Sequence, residues 1–414
     1  MNSQRELLAA LDLGSTMTRV LVAEVLETGG ESTLLRYAGF GEAPSEGWRK
    51  GNIADLDQVT HSVASAVEQA AKSAGAQIES VVAGVGGAQI QGLTSRVGWT
   101  LSQRSREVTR DDIRQLLEAA RNIPLQKDRE LLHLVPQEFV LDTQEDIHDP
   151  MGMKGMHLEA KVHLITTSTS ASQHVVSAVN KAGVLVETLV WEALAAGEAL
   201  LTPEERELGA LVAVVGNSSC EIVAYRRDGL CASASMPIGG NHFTGDIAVG
   251  LHTALADAEV IKRNFGSISP SWSHSGATFE VPGVGNRPSR FVRRGALNEI
   301  LDPRAHELFD FMQEELRRFG AENSLGGGVV FTGGGAKLHG ICDFAEKFFH
   351  APVRIGLPAR IEGMPDLLES PEYATLTGLL LYGQRIRRLR NPRPRPLASR
   401  WKTLLGRTIQ ESVR

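Results

Sequence analysis

Between residues 6 and 25 apolar positions run nearly unbroken on either side of a short polar segment, Asp12 to Thr18, and residues 208 to 226 repeat that arrangement around Gly216 to Cys220. Each stretch predicts two apolar strands joined by a tight turn, and the repetition predicts two related α/β domains. Between them the spacing turns helical. Leu56 to Ala74 predicts a helix with Asp55 as N-cap, and Asp111 to Asn122 another, capped near Thr109. Leu164 to Thr167 is expected as a buried strand, with a helix over Ser170 to Ala182 behind it. Such alternation favours a mixed or parallel sheet covered by helices.

Other stretches are punctuated by turn formers. Pro136 to Asp142 predicts a strand, followed by a loop holding Pro150, Gly152 and Gly155 and by a second strand of alternating apolar positions through Val162 and His163. Gly266 to Arg290 contains Pro270, Pro282, Gly283, Gly285 and Pro288, which predicts a long exposed connection ahead of a helix of about Leu297 to Phe319. Asn391 to Pro396 alternates proline with Arg393 and Arg395 and predicts an extended spacer. Beyond it Leu397, Trp401, Leu404, Leu405 and Ile409 share one helical face, with Arg400, Arg407 and Gln410 opposite. This predicts an amphipathic helix able to lie in a membrane interface, where Arg400, Lys402 and Arg407 attract anionic headgroups. The ordinary alternative is a terminal helix docked on its own domain, and the spacer counts against it.

Composition adds limits. The chain has 414 residues, 42% hydrophobic and 22% charged, enough for two or three compact units of ordinary globular character. Three cysteines, Cys220, Cys231 and Cys342, have no metal-like spacing, so a reducing compartment and no disulfide framework are expected. No basic and apolar leader precedes residue 6, and no run of about 18 apolar residues occurs, so neither export nor a membrane span is expected. Walker-type, Gly-x-Ser-x-Gly and Cys-x-x-Cys patterns are missing and the twelve histidines do not cluster, so conventional enzyme chemistry lacks support. Residues 385 to 414 hold ten basic side chains and one acidic one. With the chain at −6, this basic tail carries +9 and the remainder −15. The asymmetry points to an anionic surface as partner, and no nucleic acid partner is expected.

Several segments, in order, resemble those of the FtsA family of bacterial actin-like division proteins. They are Leu11 to Thr16; the segment from Pro136 to His163; Met236 to Gly240 with Thr244, Asp246, Glu259 and Lys262; Phe331 to Gly340; and Pro371 to Leu379. The resemblance spans nearly the whole chain. It implies an α/β, actin-like fold with a first domain over 6–85 and 163–207, a family-specific insert subdomain over 86–162, and a second domain over 208–384. A basic linker over 385–396 and the amphipathic helix over 397–414 would follow. It also implies ATP and Mg²⁺ as ligands. Two facing hairpins would cradle the phosphates, Gly14, Ser15 and Thr16 in one and Gly216, Asn217, Ser218 and Ser219 in the other, with Asp12 holding Mg²⁺ through water. Standing alone, an Asp-x-Gly equally suits a carboxylate that merely caps turn N–H groups. Glu259, Lys262 and Gly333, Gly334 and Gly335 would meet the adenosine.

The second hairpin departs from the family, which usually places an Asp where this chain has Val214 and glycines where it has Asn217 and Ser218; Met17 stands where a lysine is common. Weak nucleotide binding and negligible hydrolysis are therefore expected. Glu221, seven residues past Val214, is expected on the departing strand. The resemblance further implies self-assembly into actin-like filaments, recruitment of later divisome proteins, and a peripheral location on the cytoplasmic side of the inner membrane at the septum. Residues 264–320 would bind the FtsZ C-terminal tail, with Arg304 and Glu307, in a helix following Asp302 and Pro303, among the contacts. Competing expectations are a sugar-kinase or Hsp70-like ATPase, and a pilus-assembly scaffold on the same fold.

Overall fold

The computed structural model describes residues 5–27, 33–269 and 276–390. The spacer and the whole membrane-facing set, Leu397, Arg400, Trp401, Lys402, Leu404, Leu405, Arg407 and Ile409, lie outside the described residues. The first domain opens with an antiparallel meander, β1 (Leu7–Leu13), β2 (Met17–Glu27) and β3 (Thr33–Pro44). A small hairpin, β4 (Trp48–Arg49) and β5 (Asn52–Ile53), leads to α1 (Leu56–Ala74) and then to β6 (Ser80–Val85), which runs parallel to β1. The continuous apolar run of β1 follows from burial on both faces: Leu8 and Ala10 enter one core, Ala9, Leu11 and Leu13 another. Asp55 caps α1 by accepting from the amides of Asp57 and Gln58, and Gly75 ends it at φ 63°.

The insert comprises β7 (Gln91–Thr100), β8 (Arg106–Glu107), α2 (Arg110–Arg121), β9 (Arg129–Leu141), β10 (Gln144–Ile147), β11 (Lys154–Gly155) and β12 (His157–Ser168). Thr109 and Asp112 form a capping box at the start of α2, whose Ile113, Leu116 and Leu117 pack with Leu158 and Val162 into a core of the insert's own. The chain returns to the first domain through α3 (Thr169–Lys181), β13 (Leu185–Trp191), α4 (Glu192–Leu200) and α5 (Pro203–Leu208), which completes a sheet of order β13-β6-β1-β2-β3.

The second domain repeats the plan. It runs β14 (Ala210–Val215), β15 (Cys220–Arg226), β16 (Gly229–Met236), α6 (Gly240–Gly250), α7 (Leu255–Phe265), β17 (Thr278–Val281), β18 (Arg290–Arg293), α8 (Arg294–Arg318), β19 (Gly328–Thr332), α9 (Ile341–Phe349), β20 (Val353–Ile355) and α10 (Ala374–Arg390). Its strands β20-β19-β14-β15-β16 match the first sheet in order and direction: a meander, then two parallel additions. Beyond β16 the same sheet continues into the insert as β7-β12-β9-β10, joined at a single residue pair, Ala234 with Gln91.

Three expectations need correction. The connection over 266–290 is not wholly irregular, because β17 pairs with β18. Helix α8 spans Arg294–Arg318, close to the expected Leu297 to Phe319, and holds Pro303 within it, since the buried stripe Leu297, Leu301, Ala305, Leu308, Phe309 and Met312 continues across the proline; the helix start after Pro303 implied by the resemblance is not seen. Residues 385–390 close α10 instead of opening the linker. Arg387 binds the Glu187 carboxylate (Nη2–Oε2 2.7 Å) and the Leu7 carbonyl (2.9 Å), and Arg385 pairs with Glu198 (2.6 Å), so part of the basic run anchors the helix to the body.

Candidate functional site

The turns of the two meanders face each other across a cleft of about 1010 Å³ between the domains. Every residue named for the nucleotide lines it: Asp12, Gly14, Ser15, Thr16, Gly216, Asn217, Ser218, Ser219, Glu259, Lys262, Gly333, Gly334 and Gly335. The size suits a ligand-binding pocket. Close backbone approach explains the glycine loop after β19: Gly333 has φ 81°, and a Cβ on Gly335 would sit 2.3 Å from Val215 Cγ1. Nothing stands within 4 Å of a Cβ on Gly334, which leaves that position open.

At one end of the cleft Lys262 donates to the Gly240 carbonyl (2.9 Å) and the Thr244 hydroxyl (2.8 Å) and pairs with Glu259 (2.6 Å), while Arg263 binds the other Glu259 oxygen (2.7 Å). Burial raises the Glu259 pKa, but the hydrogen bonds from Lys262, Thr244 and Arg263 outweigh it and hold the pKa at about 2. A firmly anionic Glu259 thus fixes the Lys262 ammonium at the start of α6.

The other end is acidic and crowded. Asp12 closes β1 opposite Arg19 and is pushed up to about 6 by burial, with Arg19 opposing. Glu221 lies on the departing strand β15, as expected, and the strand pairing adds which face it occupies. Residues 214 and 221 are direct cross-strand partners in β14 and β15, so Glu221 shares a face with Val214. Its carboxylate accepts from the Gly87 amide, and burial pushes it up to about 7 against that bond. The Trp191 indole N–H and the Glu221 Oε2 are buried without a close partner, although the indole and the Ala193 amide still favour the ionised carboxylate. Glu192, the first residue of α4, completes the group. Burial drives its pKa well above the ordinary value, and Glu221 and Asp12 add to that. Burial thus favours the protonated form of all three carboxyls. Sequence reasoning missed Glu192, which has no local motif; only the packing of α4 against β15 exposes it. Among the described residues no group of three His, Cys, Asp or Glu is close enough to hold a bare metal ion. An incoming Mg²⁺ would therefore bring phosphate and water oxygens with it, as that ion prefers.

Arg304 and Glu307 lie outside the cleft lining, although their neighbours Ala305 and Leu308 are part of it. The Arg304 guanidinium is engaged within the molecule, donating to both Asp246 oxygens (2.7 and 2.9 Å) and to Glu307. An expected peptide-binding cation is thus already committed to intramolecular carboxylates.

Residues 87–166 match the model of the SHS2 domain inserted in FtsA, and residues 214–378 that of cell division protein FtsA. Cell division protein FtsA of Pseudomonas aeruginosa is 36% identical over 378 residues, covering 91% of this chain and 89% of the relative. The chain belongs to the FtsA family. The FtsA of Escherichia coli K12 is likewise 36% identical over 92% of this chain, and that of Bacillus subtilis 31% over 94%. The FtsA-family assignment gives the chain a role in cell division, and its fold is that of actin-like proteins. A PilM–PilN type IV pilus biogenesis complex aligns with TM-score 0.65 at 18% identity over 91% of this chain and 98% of the other. MreB 5 of Spiroplasma citri, bound to AMPPNP, aligns with TM-score 0.57 at 13% identity over 93% and 98%. Among the described residues no helix is long and apolar enough to cross a membrane.

Proposed function

We propose that the protein is an actin-like adaptor that tethers FtsZ polymers to the cytoplasmic face of the inner membrane, assembles with copies of itself and gathers later division proteins at the septum. The observation that carries this reading is FtsA-family identity over nine-tenths of the chain, insert included. The basic amphipathic pattern of residues 397–414 supplies the tether. The FtsZ tail would be taken by the second domain within 264–320, with Arg304 held back by Asp246.

The cleft supports adenine nucleotide binding. Glu259, Lys262 and Gly333 to Gly335 would hold the nucleoside, the two hairpins the phosphates, and Asp12 the Mg²⁺ through water. Mg²⁺ would supply charge neutralisation at the phosphates. Val214 withholds a carboxylate from the second hairpin, so the site would bind nucleotide weakly and hydrolyse it negligibly.

Liposome sedimentation tests the tether. Truncation after Asn391 should abolish pelleting with anionic vesicles while circular dichroism of the body stays unchanged, and FtsZ polymers should be carried down only by the full chain. Pelleting of the truncated protein would overturn the reading.

A further inference from the structure

We propose that Ser218 makes the phosphate end of this cleft selective for a nucleoside diphosphate over a triphosphate. The inference rests on the nucleotide reading of the cleft and deepens it. Ser218 stands in the turn between β14 and β15, and its Oγ lies 2.9 Å from the Ser15 Oγ in the opposing turn between β1 and β2. A hydrogen bond between residues 203 positions apart thus bridges the two hairpins that must flank a terminal phosphate. The β4–β5 hairpin closes the third side. At Gly51, where φ is 75°, a Cβ would lie 3.3 Å from the Ser218 Cβ. Three segments from two domains therefore meet at one side chain, and glycine at 218 would remove the atoms that fill the gap.

Charge acts in the same direction. Among the described residues lining the cleft, the Arg and Lys side chains are each matched by carboxylates: Lys262 and Arg263 by Glu259, Lys337 by Glu372, and Arg19 by Glu42. Asp12 and Glu192 occupy the hairpin end. A third phosphoryl group would have to part the Ser15–Ser218 contact and bring further negative charge beside those carboxyls, whereas a diphosphate stops short of both obstacles.

Calorimetric titration of the full-length protein with ADP and with AMPPNP, both with Mg²⁺, tests this. The parent should bind ADP at least about tenfold more tightly. Ser218→Gly should bring the two Kd values within about twofold by strengthening AMPPNP binding alone, and Ser15→Ala, which cuts the bond but leaves Ser218 in the gap, should move the ratio only part of the way. Equal affinities in the parent, or an unchanged ratio in a folded Ser218→Gly protein, would overturn the selectivity and leave the nucleotide reading standing. Failure of either nucleotide to bind the parent and both variants would overturn the nucleotide reading and the selectivity with it.

Discussion

Val214 is 8% exposed and faces the same way as Glu221, whose carboxyl is already pushed up by burial beside Glu192 and Asp12. Restoring the family's aspartate there adds a fourth carboxyl to a buried set already driven toward its protonated forms. Val214→Asp is therefore expected to cost about 2–4 kcal/mol of stability in metal-free buffer, and Glu221→Gln in the same chain to recover at least half of it, because an unpaired buried charge is the source of the loss. Denaturant melts at neutral pH measure both; a Val214→Asp protein as stable as the parent would show that the carboxyls do not sense one another. Asp12 and the two turns were legible in the chain as short local patterns, and Glu259 and Lys262 only through the family resemblance. Glu192 and the orientation of Glu221 were not, because they depend on strand register and on where α4 packs against β15, which no local spacing encodes.

Helical glycines separate what an element wants from what its neighbours permit. Gly245 in α6 and Gly378 in α10 look alike in sequence, yet a Cβ on Gly245 meets nothing within 4 Å while one on Gly378 would lie 1.9 Å from the Ala195 carbonyl oxygen of α4. Gly245→Ala should be neutral or stabilising by up to about 1 kcal/mol, from helix propensity and a less flexible unfolded chain. Gly378→Ala should cost about 2–4 kcal/mol, because α10 must back away from α4 and loosen the core they share. Thermal melts of the two variants should move in opposite directions or differ by several degrees. The same tertiary logic explains the helix boundaries. Residues 56–74 were legible because cap, stripe and terminal glycine agree, whereas the end of α10 depends on Glu187 and Glu198, brought in from a distant part of the chain. At Pro303 the helix start implied by the family resemblance gives way to the apolar stripe from Leu297 onward, which the sequence already read as one helix.

At the scale of the molecule, two buried histidines sit at the insert's seams. His133 of β9 accepts from the Trp191 amide (3.0 Å) and meets the Tyr382 hydroxyl (3.3 Å), while His163 of β12 bonds the Ser233 hydroxyl of the second domain (2.6 Å). Burial, helped by Arg385 and Arg318 respectively, pushes each down to about 3 from an ordinary 6.5. Below pH 6.5 the unfolded chain takes up protons that the folded one refuses, so stability falls with pH, by about 2 kcal/mol per histidine between pH 7 and 5. Asp12 and Glu221 act the other way: raised in the fold, they stabilise at low pH and lose that contribution as pH rises through about 6 and about 7, and Glu192, also raised, acts in the same direction. The observable is therefore a difference. His163→Gln should be destabilised relative to the parent at pH 7, and should lose about 2 kcal/mol less than the parent on going to pH 5; parallel pH profiles of denaturant midpoints would refute the assignment.

The single residue pair that joins β7 to β16 also determines how the molecule bears tension. Within the insert, β7 and β12 are in register over ten pairs, so a pull along those strands loads many hydrogen bonds at once. At the Gln91–Ala234 junction there is one rung, backed by the Arg318 bond to the Gly92 carbonyl (2.7 Å) and the His163–Ser233 contact. Away from that rung, Gln137 donates to the Leu230 carbonyl (2.9 Å) and Arg227 pairs with Asp146 (3.0 Å), side-chain contacts in place of backbone pairing. The nine-stranded sheet thus has its narrowest backbone join between β7 and β16, and a pull between insert and second domain would load that one rung before the ten between β7 and β12.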